Sequence, residues 1–141
     1  MHIKSVETIR PLRHKHLNKV FCQFEDDKSV YFILEYFVNH SLFLEMILKH
    51  VISSTDAKVI FDQITDTLEY LLSKNLCTKS LRAENIYIDN SLTLMLTESI
   101  FVPEVSYHTA PEGWTSKEAD LWAIGALLFE MTQGNHSSMR F

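Results

Sequence analysis

Glycine is scarce in this chain of 141 residues. Three glycines occur, Gly113, Gly125 and Gly134, and all of them lie in the last fifth of the sequence. A loop that wraps nucleotide phosphates brings backbone N–H groups close to the phosphate oxygens, and glycine permits that close approach. A glycine-rich phosphate loop therefore cannot be drawn within these 141 residues.

Long apolar runs and basic clusters are also absent from the sequence. The longest apolar runs, residues 31–38 and 121–131, are interrupted by Glu35 and Glu130 and are too short to cross a bilayer. The N-terminal residues lack the apolar centre of a signal peptide. The formal net charge of -5 argues against a nucleic-acid groove. We therefore expect neither a membrane nor a nucleic acid as a partner.

Only two cysteines are present, Cys22 and Cys77, and they lie far apart without the spacing of a metal site. This pattern is typical of buried thiols in a reducing compartment. We therefore expect a cytoplasmic protein.

What the chain does contain is 46% apolar residues, enough for one domain with a single core. Its apolar periodicity alternates between helix and strand, which predicts an α+β fold. Pro11 should kink or end the first helix. The predicted elements are, in order, a short helix over residues 2–15, a hairpin of strands 20–24 and 30–36, a helix over 42–51, a helix capped by Ser54 or Thr55 and ending near Asn75, a small hairpin of 86–88 and 92–96, and a helix from the capping-box pair Thr115 and Glu118 through Met131.

Several segments, in this order, resemble the protein kinase family from its third helix through its sixth. They are HLN (16–18), VYFILEYF (30–37), LEYLLSKNLCTKSLRAENIYID (68–89), HTAPEG (108–113) and SKEADLWAIGALLFE (116–130). The resemblance implies one partial kinase-like domain over residues 1–141. In it, 1–37 would be a remnant of the small lobe and the hinge, and 38–141 would be part of the mainly α-helical large lobe.

The catalytic loop departs from the family pattern at its most important position. In the family an Asp of the H-R-D triplet accepts the proton of the substrate hydroxyl. The corresponding residues here are Thr78-Lys79-Ser80. Ser80 is uncharged and its hydroxyl has a far higher pKa than a carboxylate, so it cannot replace that Asp as a base. The resemblance therefore implies no intact catalytic residue. In the family, an Asp of the sixth helix holds the catalytic loop in place whether or not the loop is catalytic, and the corresponding residue here is Asp120.

The resemblance also marks a degenerate nucleotide site. Leu34 stands at the gatekeeper position and Glu35 and Phe37 in the hinge, while Arg82 and Asn85 follow the catalytic loop. Arg82 could contact a phosphate or serve only as a loop cation.

Two positions match the family's magnesium ligands, Asn85 and Glu98, the latter in place of the Asp of D-F-G. Asn85 could bind a metal or only fix the loop, and Glu98 could be a ligand or a solvated carboxylate. We therefore expect no cofactor, with ATP and magnesium binding at most weakly.

These residues lead to three hypotheses. The first is a pseudokinase, an inactive kinase-like domain that acts as a scaffold or allosteric regulator by binding another protein. The second is an enzyme, part of a Ser/Thr or Tyr kinase with residual ATP binding and weak phosphotransfer. The third is a non-functional fragment of a longer protein, and the sequence alone leaves open whether the chain is natural as it stands.

Overall fold

The computed structural model describes residues 10–37, 39–78, 81–97 and 117–134. Its order of strands and helices is α+β, as the sequence predicts. The described elements are β1 (Val20–Glu25), β2 (Val30–Leu34), β3 (His40–Ser41), α1 (Leu42–Lys49), α2 (Ser54–Ser73), a 3₁₀ turn (Ala83–Asn85), β4 (Ile86–Ile88), β5 (Leu94–Leu96) and α3 (Lys117–Gln133). Within the described ranges, no helix is both long and apolar enough to span a membrane.

The first predicted helix is wrong over residues 10–15, and its earlier part lies outside the described residues. The chain turns at Arg10 and Pro11, and His14 then forms an isolated bridge with Leu17. Proline has no N–H to donate and a fixed φ, so the helix does not continue through this point.

Strands β1 and β2 form the predicted antiparallel hairpin, with a register irregularity between Val20 and Cys22. Its turn is held by Asp26, whose carboxylate accepts hydrogen bonds from the backbone N–H groups of Lys28 and Ser29, both at 2.8 Å. An Asp that bonds the backbone two and three residues ahead is a common turn device.

A second, three-stranded sheet has the order β3-β4-β5, all antiparallel. The sequence predicted the β4–β5 pair, although β5 starts at Leu94 because Leu92 has a positive φ of 62° and belongs to the turn. The two-residue strand β3 was missed. It forms because His40 and Ser41 lie opposite Ile88 and Tyr87.

The helices match the prediction with shifted ends. Helix α1 ends at Lys49, since His50 has a positive φ of 61°. The cap of α2 is Ser53 and not Ser54 or Thr55, because the Ser53 hydroxyl accepts a hydrogen bond of 3.1 Å from the N–H of Asp56. Helix α2 leads into Asn75, which has a φ of 58°. Helix α3 ends before Gly134 as predicted; Thr115 lies outside the described residues.

Helix α2 contributes one face to the core. Its buried residues recur every three or four positions, as an amphipathic helix requires: Ala57, Ile60, Ile64, Thr67 and Leu71. The strands β4 and β5 bury their alternate residues in the same cluster. The core thus joins the central helix to the small sheet.

Asp120 ties the loop after α2 to α3. Asp120 is 8% exposed, and its carboxylate accepts hydrogen bonds from the backbone N–H of Thr78, at 3.2 Å, and from the Thr78 hydroxyl. Thr78 is itself 3% exposed. Each buried polar group therefore satisfies the other, which holds residue 78 against α3.

Both cysteines are free thiols and are half-buried rather than fully buried. Burial raises the pKa of the Cys77 thiol, and the nearby carboxylates of Asp120 and Glu118 raise it further. Cys77 is therefore a poor nucleophile at neutral pH.

We predict that the free energy of unfolding of the wild type falls as pH rises because Asp120 ionises, and that Asp120→Asn removes this fall. Burial raises the pKa of Asp120 above its ordinary value of 3.8, although the hydrogen bonds from Thr78 oppose this. A carboxyl with a raised folded-state pKa contributes stability that is present below the unfolded pKa and lost as pH rises through the folded pKa. The wild-type free energy of unfolding should therefore fall, relative to that of the variant, as pH rises from 3.8 towards neutrality.

Urea denaturation at a series of pH values measures this difference. Asn has one side-chain oxygen where Asp has two, so the variant also loses one hydrogen-bond acceptor for Thr78. This loss shifts the free energy of unfolding by an amount that does not depend on pH. Asp27→Asn, the same substitution in the exposed β1–β2 turn, is the matched control. Parallel pH profiles for wild type and Asp120→Asn would contradict the prediction.

Candidate functional site

An open cavity of about 470 Å³ lies where the β2–β3 connection meets β4 and β5. Its size is within the range of small-molecule sites, roughly 300–1,000 Å³. The lining residues come from the segment before β1, the β2–β3 connection, the 3₁₀ turn and the small sheet. They are Asn18, Leu34, Glu35, Tyr36, Phe37, Asn39, Asn85, Tyr87, Met95 and Thr97.

Backbone hydrogen bonds fix the two sides of this cavity relative to each other. The N–H of Asn18 donates to the carbonyl of Leu96 at 2.7 Å, and the N–H of Leu96 donates to the carbonyl of His16 at 2.8 Å. The N–H of Glu35 donates to the carbonyl of Lys19 at 2.9 Å. The segment that leads into β1 is therefore bonded both to β5 and to the end of β2.

Four of the residues predicted for the nucleotide site line this single cavity. Leu34 and Phe37 are half-buried, Glu35 is exposed and Asn85 is half-buried at the end of the 3₁₀ turn. The structure thus places the predicted hinge residues and Asn85 around one cavity.

Arg82, the predicted phosphate contact, is not part of the cavity wall. Its Nε lies 3.0 Å from Glu84 Oε2, and its carbonyl accepts a hydrogen bond of 3.0 Å from the N–H of Asn85. Both side chains of this ion pair are partly buried. The structure therefore shows Arg82 bonded within its own turn.

Ser80 and Glu98 lie outside the described residues, so the predicted catalytic position and one of the two predicted metal ligands have no structural account. Asn85, the other predicted ligand, lines the cavity. Among the described residues, no group of three or more His, Cys, Asp or Glu could hold a metal ion.

The sequence analysis did not identify the residues on the floor of the cavity, although the sequence contains a pattern that marks them. Tyr87 and Met95 lie opposite each other on β4 and β5 and line the cavity. Their neighbours alternate with them and are buried: Ile86, Ile88, Leu94 and Leu96. A period of two in the triplets IYI and LML therefore identifies the residues that face the cavity.

Two amides on the cavity wall, Asn18 and Asn39, were also missed. Asn18 Oδ1 and Asn39 Nδ2 are buried side-chain atoms without a hydrogen-bond partner within the described structure. Asn18 ends the HLN segment that resembles the family, but the resemblance did not mark it as a site residue. Asn39 is a single asparagine in a loop, with no periodicity and no spacing rule to identify it.

Comparison with known proteins gives a consistent result. Residues 2–140 match the protein kinase domain family. An Aurora kinase of Saccharomyces cerevisiae is 30% identical over 147 residues, covering 93% of this chain and 40% of the relative. The cAMP-dependent protein kinase catalytic subunit of Dictyostelium discoideum is 29% identical over 148 residues, covering 94% of this chain and 23% of the relative. An Aurora kinase of Eremothecium gossypii is also 29% identical, over 94% of this chain and 40% of the relative.

The chain spans less than half the length of the curated relatives named above. The match to the family nevertheless extends over nearly the whole sequence, and the α+β order of elements is that of a partial kinase-like fold. This chain belongs to the protein kinase domain family.

Proposed function

We propose that this chain is a catalytically inactive kinase-like domain, a pseudokinase, that acts as a scaffold or allosteric regulator by binding another protein. The observation that carries the proposal is Ser80, which stands where the family has its catalytic Asp. A cytosolic location is part of the proposal, because Cys22 and Cys77 are free, half-buried thiols.

The chemistry of phosphoryl transfer supports this proposal. The family's Asp accepts the proton of the substrate hydroxyl and orients that hydroxyl towards the phosphate. General-base catalysis needs a group whose pKa lies near the working pH, and a serine hydroxyl is far from that condition. Ser80 can exchange hydrogen bonds with a substrate, but it cannot hold the transferred proton.

The buried pair of Thr78 and Asp120 is consistent with a loop retained for structure. Thr78 occupies the position of the family's H-R-D histidine, and its hydrogen bonds to Asp120 hold residue 78 against α3. This arrangement satisfies two buried polar groups without any catalytic residue. The fold of this region can therefore persist after the acid is lost.

One exposed face of α3 supports a protein as the partner. Leu121 is 65% exposed, and Trp122 and Phe129 are each about half exposed. With Gly125 and Ala126 these side chains line a shallow cavity of about 420 Å³. Contiguous apolar surface of this kind, with aromatic side chains, is typical of protein interfaces.

The first test is a phosphotransfer assay with radiolabelled ATP, magnesium or manganese, and a generic protein substrate. We expect no transfer above background by the wild type, and no difference between the wild type and Ser80→Ala. Ser80→Asp shows whether the missing acid alone abolishes activity. A wild-type rate that Ser80→Ala reduces would contradict the proposal, because it would give the hydroxyl a role in turnover.

The second test concerns the face of α3. We expect the double variant Leu121→Ser/Phe129→Ser to lose its partner in cross-linking mass spectrometry of cells that express the full chain, with little change in melting temperature. Leu48→Ser is a matched control, because Leu48 on α1 is also 65% exposed. Equal loss of cross-links in the double variant and in the control would refute a role for this particular face.

A second candidate function is supported by the cavity described above. As part of a Ser/Thr or Tyr kinase, the chain would bind ATP, which supplies the transferable phosphoryl group when bound, together with magnesium. Leu34, Glu35 and Phe37 would hold the nucleoside, and Asn85 with Glu98 would hold the metal. The cavity volume and its hinge-like wall fit the nucleoside portion.

A thermal-shift titration distinguishes this candidate. ATP with magnesium at a hundredfold over its Kd should add about 2.7 kcal/mol of stability, visible as several degrees. A shift that needs magnesium favours the kinase candidate, and its weakening in Glu98→Gln would assign the metal to the predicted site. A cooperative melt unmoved by ATP and magnesium argues against this candidate.

A further inference from the structure

A histidine ring lies between helix α2 and the turn that precedes β1, outside the cavity described above. The side chain of His14 is 12% exposed. Its ring stacks on that of Tyr70, with 5.1 Å between the ring centroids. The N–H of Leu17 donates to the carbonyl of His14 at 3.1 Å, which closes the turn of residues 14–17. The imidazole is therefore held between α2 and its own turn.

The two ring nitrogens of His14 have different partners. Nδ1 accepts a hydrogen bond of 3.2 Å from the backbone N–H of His16. Nε2 faces Asp66, with 3.4 Å between Nε2 and Oδ2. An imidazole accepts a hydrogen bond only when it is neutral, because both nitrogens of the cation carry protons. The geometry therefore requires a neutral His14 with its proton on Nε2.

A second oxygen lies within reach of Nδ1. Thr67 Oγ1 is 3.5 Å from His14 Nδ1, and the Thr67 hydroxyl donates to the carbonyl of Gln63 at 2.9 Å. Because its proton is directed to Gln63, the Thr67 oxygen can act towards His14 only as an acceptor. A protonated Nδ1 would therefore exchange its partner. The N–H of His16 would lose its acceptor, and the Thr67 oxygen would gain a donor.

Titratable groups face the ring of His14 from both sides. Among the described residues, Asp66 and the phenol of Tyr70 face it from α2, and Lys15 and His16 belong to its own turn. Lys15 also pairs with Asp66, with 3.1 Å between Nζ and Oδ2, so two basic groups share one carboxylate. Burial lowers the pKa of His14 below its ordinary value of 6.5; Asp66 opposes this effect, whereas His16 and Lys15 add to it. His14 is therefore neutral near pH 7 and takes up its second proton below pH 6.5.

The turn is also the point at which this segment joins the small sheet. The carbonyl of His16 accepts a hydrogen bond of 2.8 Å from the N–H of Leu96, and the N–H of Asn18 donates to the carbonyl of Leu96 at 2.7 Å. The ring of His16 adds a contact of 3.1 Å between its Nδ1 and the carbonyl of Leu94. A carbonyl only accepts, so this Nδ1 carries a proton whether His16 is neutral or charged, and the bond survives titration of His16. In this turn, His14 is the ring whose hydrogen bonds change with its protonation.

We propose that His14 is a pH-sensitive latch on the connection between this turn and β5. As a neutral ring it holds the turn closed, and a proton on Nδ1 removes the acceptor of the His16 N–H, so that the segment leading into β1 loosens from β5. Because the pKa of His14 is lower in the folded chain than in the unfolded chain, its contribution to stability is complete above pH 6.5 and is lost as pH falls through the folded-state pKa. The latch does not involve phosphotransfer and stands whether or not the pseudokinase proposal holds.

Amide hydrogen exchange of the full 141-residue chain, followed by NMR at a series of pH values, tests the proposal. Each rate is compared with the intrinsic rate at the same pH, which gives a protection factor. We expect the protection of the N–H groups of His16, Asn18 and Leu96 to fall by about fivefold as His14 takes up its proton, the effect of one lost hydrogen bond. His14→Gln keeps a donor and an acceptor but does not titrate, so its protection factors should not change with pH. His50→Gln, at an exposed histidine after α1, is the matched control and should behave as the wild type does.

Asp66→Asn keeps the test decisive if His14→Gln fails to fold. It removes the carboxylate that favours the charged ring, so the fall in protection should move to lower pH. In the wild type, the NMR signal of the His14 ring should titrate over the same pH range as the loss of protection. Asp120 titrates in all of these proteins, so comparing them cancels its contribution. Protection that stays constant while the ring titrates, that falls equally in His14→Gln, or that falls at an unchanged pH in Asp66→Asn would overturn the proposal.

Discussion

The buried contact between α2 and the small sheet is the constraint on which the candidate site depends. Ile60 and Ile64 of α2 are fully buried in the cluster that contains the alternate residues of β4 and β5. Gln63 strengthens the contact with its side-chain amide. Its Nε2 donates to the carbonyl of Leu92 at 2.7 Å, and its Oε1 accepts from the N–H of Leu94 at 3.0 Å. The amide thereby satisfies two backbone groups at the start of β5.

From this contact the geometry extends outwards to the cavity. Strand β5 holds the segment before β1 through Leu96, and β4 holds β3 through its pairing with His40 and Ser41. Both sides of the cavity are therefore attached to the same pair of short strands, β4 and β5. A change in the packing of α2 would displace the β2–β3 connection together with the amides of Asn18 and Asn39.

The pattern of the sequence was sufficient for elements whose signal is local. The period of α2 and the hairpin of β1 and β2 belong to this class, and both predictions are confirmed. Strand β3 could not be predicted, because two residues, His40 and Ser41, carry no strand pattern and pair only when β4 is beside them. The cap of α2 moved to Ser53 because three consecutive residues could each supply the hydroxyl.

The candidate site divides in the same way. Leu34, Glu35, Phe37 and Asn85 were found through their resemblance to a family, and they share one cavity because that family fold brings them together. Arg82 carries a charge that the resemblance directs towards phosphate, yet its guanidinium forms an ion pair with Glu84, two residues away. Such a competition between neighbours is settled by side-chain geometry, which a single sequence does not contain. The division of the chain at residues 37 and 38 stays a prediction.

The hairpin of β1 and β2 has a consequence for motion. Within the described residues it is a two-stranded sheet, and the stacked rings of Phe24 and Tyr31 lie on its exposed side. A two-stranded sheet has marginal stability without further packing, whereas the three-stranded sheet that contacts α2 buries its alternate residues in the core. The amide protons of β1 and β2 should therefore exchange with solvent through local opening, while those of α2 exchange only when the whole chain unfolds. Since Leu34 ends β2 and lines the cavity, an occupant of the cavity would slow exchange in the hairpin long before it affected the core.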